Sequence, residues 1–420
     1  MSRPSFSAER LRPIALAAFA AALPLGIALQ QGALALLVAA FALFVWETRR
    51  APRSPLDLPL GVLAGALLLS TAFCPDPLHS LRSYDRLWVV GAFFAVYHLV
   101  RTRAEVERLV AITIGAAAVV AAYGVVQHFT GVDLVRTLLG KPPDVDPSTW
   151  LGGSGYRTKG LHPSGITYAH NVLFPLTFAS AYALAPGLER RRRAALLVAC
   201  VVMVLALVFS LTRGVWLAFA VVLLALGLVR GGRTGAASAL GLILLVLLLA
   251  GVDPAIRARF LSAFDLPANV GRTQIWRANL DMARARPLLG WGYGNYKIVR
   301  QPFYDRYPDA DTTAHAHNDF LQTQVDGGVV ALTAFVALFV FLLRRGWHGY
   351  RTFPPTDEPA RTLQIAMVLA IVGFLVGGLT QYNFGDAEVV IYLWFTAGLL
   401  LRLATLAQDG LIETSRAGDR

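Results

Sequence analysis

The chain has 420 residues, 56% of them hydrophobic and only 15% charged, with a formal charge of +12 from 38 Lys and Arg against 26 Asp and Glu. Soluble domains carry about 25% charged residues. Here apolar runs long enough for a membrane helix recur from end to end, which excludes a soluble globular fold. In a polytopic membrane protein much of a positive excess is topological signal, so the charge does not point to nucleic acid.

The N-terminus places Arg3, Arg10 and Arg12 before an apolar run, as a secretory signal does. The many spans that follow make an uncleaved first helix the expected reading. The apolar periodicity predicts about twelve spans, at roughly 13–29, 33–48, 57–73, 87–100, 108–127, 166–185, 194–210, 214–230, 235–251, 327–343, 362–380 and 388–405. With the N-terminus inside, the inner segments Glu47–Arg53, Arg101–Arg108, Glu189–Arg193, Arg230–Arg233 and Arg344–Arg361 are rich in arginine. The outer turns Gln30–Gly32, Cys74–Arg86, Leu211–Gly214 and Gln381–Glu388 hold only Arg82, Arg86 and Arg213 as cations. The positive-inside rule therefore predicts both termini on the cytoplasmic side. Cys74 and Cys200 form neither a disulfide framework nor a metal motif.

This divides the chain into five spans (1–127), an outer segment (128–165), four spans (166–251), a large outer segment (252–326), three spans (327–405) and an inner tail (406–420). Segments as long as the two outer ones tend to carry function. The larger has nine Lys and Arg against eight Asp, so individual arginines, not a broad basic patch, must hold any anion. Within it, Arg272–Arg286 predicts an interfacial helix with Ile275, Trp276, Leu280 and Ala283 on one face. PLLGWGYGNY (Pro287–Tyr296) is a glycine-punctuated turn.

The expected spans hold almost no ionisable groups beyond His98 and His170. Coupled transporters need intramembrane charges, so their absence argues against a proton-driven carrier. The titratable groups gather instead at the outer ends: Arg157, Lys159, Arg213, Arg272, His315 and His317. Arg213, in SLTRGVW, is compatible with snorkelling to headgroups and with clamping an anion, for which a planar guanidinium suits phosphate. TTAHAHNDFLQTQVDGG (Thr312–Gly328) contains the His315–His317 pair, followed by a short amphipathic run and an Asp-Gly-Gly break. The pair is a weak metal signal without flanking ligands. His317 reads either as a polar loop residue or as a general base. A helix capped by Asp311, Thr312 or Thr313 would put it in the first turns, where the helix dipole favours a neutral imidazole.

Four motifs in order resemble the O-antigen ligase and polymerase superfamily of bacterial surface-glycan assembly. GYRTKGLHPSGITYAHN (Gly155–Asn171) is similar to its Arg-x-x-Gly…Pro-Asn segment, with Ser164 where Asn is usual, and SLTRGVWLA (Ser210–Ala218) to its Ser-Arg-Gly turn. GRTQIWRANLDMARARPLLGWGYGNY (Gly271–Tyr296) resembles its Arg…Trp helix and Pro-Leu-x-Gly-x-Gly turn. HAHNDFLQTQVDGG (His315–Gly328) resembles its His-Asn-x-x-Leu-Gln signature, with Asp326 where Glu is common.

The resemblance implies an all-α, GT-C-like membrane glycosyltransferase with a long helical periplasmic segment between its ninth and tenth spans. It would sit in the bacterial inner membrane with its active site facing the periplasm. The donor would be an undecaprenyl-diphosphate-linked glycan and the acceptor the lipid A–core oligosaccharide. Transfer would be inverting, with neither cofactor nor metal. His317 would be the catalytic base. Arg213 and Arg272 would bind the diphosphate and steady the departing charge, with Arg157, Lys159 and Asn318 as further substrate-binding residues. A polymerase that extends the glycan on its carrier shares the same motifs. The chain's length disfavours protein-glycosylating members. A transporter or flippase fits twelve spans but not the missing charges, and a non-catalytic scaffold leaves the clustered arginines and histidines without a role.

Overall fold

The computed structural model describes residues 8–49, 51–141, 156–230, 233–263, 265, 269–310 and 315–418. Among these residues there are helices and turns and no strand. The chain begins with α1 (Ala8–Ala22), α2 (Ile27–Thr48), α3 (Asp57–Ala72) and the short α4 (Pro77–Arg82). A 3-10 run (Ser83–Val90) leads into α5 (Gly91–Leu99), followed by α6 (Arg103–Thr130) and α7 (Leu134–Leu138). Next come α8 (Gly165–Ala183), α9 (Arg190–Phe209), α10 (Arg213–Val229), α11 (Arg233–Val252) and α12 (Pro254–Leu261). The remainder is α13 (Val270–Ala285), α14 (Tyr296–Val299), α15 (Gln301–Tyr304), α16 (Asp319–Thr352), α17 (Glu358–Gly378) and α18 (Ala387–Gly418).

Among the described residues, six helices are long and apolar enough to cross a membrane: α2, α6, α9, α16, α17 and the first part of α18. The chain is a multi-pass, all-helical membrane protein. α17 is its hub, packing on α8, α10, α16 and α18. Between membrane helices there is no hydrophobic driving force, and association rests on close packing that small residues permit. α17 supplies these through Gly373, which faces Val222 of α10 and Leu173 of α8, and Gly377, which faces His170 of α8.

Several local expectations are corrected. Gln30–Gly32 is not a turn but lies inside α2; the chain breaks earlier, at Leu23–Gly26, where Pro24 cannot continue a helix. Gln30 is buried and its amide donates to the Leu23 carbonyl freed by that break. The 87–100 stretch is α-helical only over the nine residues of α5, about 14 Å, half the hydrocarbon thickness. On α13 the buried face is Ile275, Ala278, Asn279, Met282 and Ala283, so Ile275 and Ala283 lie inward as expected while Leu280 points outward. Asn279 belongs inside because its Nδ2 donates to the hydroxyls of Tyr296 (2.8 Å) and Tyr304 (3.2 Å).

The Asp-Gly-Gly break is a kink within α16, at Gly328 (φ 64°). A side chain there would be strained by the left-handed backbone, and its Cβ would fall 2.1 Å from Leu288 O. The glycine-punctuated turn docks on the kink: Trp291 N donates to Val325 O (2.9 Å) and Gly292 N to Asp326 O (2.8 Å). The kink separates a short helical arm, starting at Asp319, from the long apolar rod after it.

Candidate active site

That arm carries His317. Asp311, Thr312 and Thr313 lie outside the described residues, and α16 starts at Asp319 rather than near Thr313. Asn318 is its cap, accepting the Leu321 amide at 2.9 Å, as a short polar side chain does best at that position. His317 therefore precedes the helix instead of lying in its first turns. Its backbone is left-handed (φ 50°), a conformation that costs a non-glycine residue roughly 1–3 kcal/mol and persists where the surroundings impose it.

Those surroundings can be named. The His317 N–H is donated to His315 Nδ1 at 3.3 Å, and the two rings lie edge-to-face at 4.4 Å. His315 is pushed down to about 4 by burial, then by His317 and Lys297, so it is neutral and able to accept that hydrogen bond. His317 Nδ1 lies 2.7 Å from Gln381 Oε1. With the amide assigned this way, Nδ1 holds the proton and donates, and Nε2 carries the lone pair that a base needs.

Gln381 belongs to the connection between α17 and α18, which the start of α16 clamps. Asn318 Nδ2 donates to Leu379 O (2.9 Å), and buried Asp319 accepts the Phe384 amide (2.9 Å). Both ends of the Asn318 amide are thus engaged in the scaffold. From the other side, Gly214 of α10 meets Thr380: a Cβ on Gly214 would fall 2.2 Å from Thr380 Oγ1. Arg213 and Gln381 are the chain neighbours of these two contacting residues, so the arginine turn and the histidine arm meet across one connection.

The arginines converge on the Ser210–Thr212 turn. Arg157 Nε donates to Ser210 O at 2.7 Å. Arg213 is held by Ser262 Oγ (2.9 Å) and Asn269 Oδ1 (3.0 Å). Arg259, which the motif reading did not single out, donates through Nε to Leu211 O at 2.9 Å. It is pushed down to about 10 by burial and by the charges of Arg213, Arg157 and Arg272, yet remains protonated at neutral pH. Arg157 is lowered by burial alone, and Arg272 by burial and Arg213. Among the described residues none of the four has an ion-pair partner, and Arg272 has no hydrogen-bond partner either. Four half-buried guanidiniums without a carboxylate among the described residues repel one another, an arrangement that an anion relieves.

Lys159, expected among the substrate-binding cations, is drawn elsewhere. Its Nζ pairs with buried Asp133 at 2.8 Å. No group of three or more His, Cys, Asp or Glu side chains that could hold a metal occurs among the described residues. A cavity of about 500 Å³ is lined by Arg86, Tyr293, Lys297, Asp326 and Tyr382. Tyr382 joins it to the site, its ring 5.7 Å from that of His315.

Gln381, Arg259 and buried Asp319 were missed by the motif reading. The polar QYN run in an otherwise apolar connection, and the second arginine of IRARF, were the available signals.

Residues 198–336 match the family model described as O-antigen ligase. This stretch is similar to the O-antigen ligase family. The matched stretch runs from α9 to the middle of α16, so it contains Arg213, Arg259, Arg272 and His317. Arg157 and Gln381 lie outside it, brought in by folding. A search of the curated proteins finds no match to the chain.

Proposed function

We propose that this protein transfers a glycan from a polyprenyl-diphosphate carrier to a sugar hydroxyl, with inversion, without a metal, and with lipid A–core as the acceptor. The observation that carries this reading is the pairing of an uncompensated four-arginine cluster with a histidine whose Nδ1 is anchored on Gln381. The diphosphate binds Arg213, Arg272, Arg157 and Arg259. His317 Nε2 takes the proton of the acceptor hydroxyl. That oxygen attacks the anomeric carbon from the face opposite the carrier, the bond from carbon to phosphate oxygen breaks, and its electron pair leaves on the diphosphate.

The leaving group is already stable and its charge is dispersed, so fixed guanidiniums supply the stabilisation. A positioned base adds roughly 10²–10⁴-fold. The Tyr382 cavity is the place for the acceptor sugar, since the ring of Tyr382 that lines it lies against that of His315. The arginine-rich connections support a reading with the termini in the cytoplasm and the site at the outer face of the inner membrane.

The test mixes the purified protein with an undecaprenyl-diphosphate glycan and lipid A–core in EDTA and resolves the products on a gel. Transfer to the core is expected. Ladders on the carrier identify a polymerase instead, and no covalent product with either acceptor overturns the reading. Activity lost to EDTA overturns the metal-free chemistry.

A further inference from the structure

A second built cavity lies at the far end of α10. This helix has 17 residues, so Arg230, which follows it, stands about 25 Å from Arg213 along the axis. Around Arg230 the C-terminal end of α8, the first turns of α9 and the start of α17 enclose about 570 Å³. Three guanidiniums line the space, from Arg193, Arg230 and Arg361, against the single carboxylate of Glu358.

These groups are held by the protein. Arg230 donates to Leu184 O (3.2 Å), Ala181 O (3.3 Å), Thr362 Oγ1 (2.7 Å) and Glu358 Oε1 (3.1 Å). Arg193 Nη2 donates to Ala185 O at 2.8 Å, and Arg361 Nη2 to the Tyr350 hydroxyl at 2.8 Å. The Nε atoms of Arg193 and Arg230 are buried with no hydrogen-bond partner among the described residues.

An apolar crevice of about 220 Å³ continues from this cavity. The two share Ala183, Leu184 and Leu197, and the crevice runs between α8, α9, α10 and α11 past Val201, Val204 and Leu223. A net positive chamber joined to a hydrocarbon-lined slot matches a molecule with an anionic head and an apolar tail. We propose that the pair of cavities binds one anionic phospholipid, its phosphate among Arg193, Arg230 and Arg361 and an acyl chain in the crevice. A free phosphate has no use for the crevice. A zwitterionic lipid would set a second cation among the guanidiniums, where basic pockets between membrane helices select anionic headgroups. The bound lipid bridges the ends of α8, α9, α10 and α17, and so braces the far side of the helix that presents Arg213.

Purified full-length protein in neutral detergent is titrated with phosphatidylglycerol, phosphatidylcholine or inorganic phosphate, and bound lipid is counted by native mass spectrometry. Phosphatidylglycerol is expected to stay bound at one per chain, phosphatidylcholine to be lost, and phosphate to compete poorly. Arg361→Ala should weaken phosphatidylglycerol about tenfold, the effect of one charge-assisted hydrogen bond, and Arg361→Lys should restore part of it. Leu197→Trp fills the shared wall and should weaken the lipid without touching any charge, which keeps the test decisive if Arg361→Ala fails to fold. Equal retention of the two lipids, phosphate that displaces the lipid at comparable concentration, or unchanged affinity in Leu197→Trp overturns the proposal.

Discussion

His317 and Gln381, distant in sequence, stand with Nδ1 and Oε1 2.7 Å apart, and this contact sets which imidazole nitrogen is available for chemistry. The amide oxygen is neutral, so it orients the ring without fixing a full charge beside it. Gln381→Glu should keep the orientation while adding an anion that favours the protonated imidazole. The acid limb of the kcat/KM–pH profile should then move to higher pH, with lower activity at neutral pH. A profile identical to that of the unaltered protein would remove Gln381 from any role at the base.

His317→Ala should lower transfer by about 10²–10⁴-fold, the contribution of a positioned general base, while the melting temperature stays close to that of the unaltered protein. The left-handed backbone at this position makes a modest gain for His317→Gly reasonable, since glycine relieves the strain. Transfer within a few-fold of normal in His317→Ala would end the assignment.

Much of this site could be read from the chain, and the limits of that reading have physical causes. Arg213, Arg272, Arg157 and His317 stand in recognisable motifs because their neighbours, Gly214, Gly165 and Asn318, are themselves demanded by the geometry. Gln381 and Arg259 have no such local signature. Their roles depend on contacts across the bundle, from Gln381 to His317 and from Arg259 to the carbonyl of Leu211. Lys159 shows the converse: it follows the motif in sequence, yet Asp133 captures its charge. The α16 start was misplaced because Asp311, Thr312 and Thr313 are all good caps and the choice fell to Asn318, which also ties down Leu379. The Asp-Gly-Gly kink was legible because a left-handed position crowded against Leu288 O admits glycine alone.

His315 has a task that differs from that of its neighbour. It holds the His317 N–H as an acceptor and must be neutral to do so. Its folded value of about 4 lies below the ordinary 6.5, so between these values the unfolded chain binds the extra proton. The stability it contributes is complete above about pH 6.5 and declines as pH falls toward 4. Melting temperature should therefore fall over this window, and His315→Asn should flatten the fall while retaining some activity. An unchanged pH dependence in that variant would exclude this role.

Arg272 is the arginine to test for a conflict between stability and function. It sits among like charges with no hydrogen-bond or ion-pair partner among the described residues. Arg272→Gln should raise the melting temperature of the ligand-free protein by relieving repulsion, and should weaken the stabilisation that added pyrophosphate gives. Arg213→Lys should lose transfer with less change in stability, because a point charge does not reproduce a two-pronged clamp. If Arg272→Gln melts lower and responds to pyrophosphate normally, the cluster is not strained for anion binding.

Gly214 offers a test of how the two halves of the site are registered. Its α-carbon lies so close to Thr380 that an added methyl would overlap Oγ1 at 2.2 Å, and Thr380 is followed at once by Gln381. Gly214→Ala must push the α17–α18 connection away from α10, carrying Gln381 and with it the His317 ring. A displacement of about 1 Å in a catalytic group costs on the order of 10²-fold, so transfer should fall by that amount even though neither a base nor an arginine is changed. Adding Thr380→Ala removes the overlapping oxygen and leaves only a 3.3 Å contact to Cβ, which should recover most of the loss. Recovery in the double variant locates the defect in this contact. A Gly214→Ala protein with full activity would mean that the connection yields freely, and that the arginine turn and the histidine arm are not held in register here.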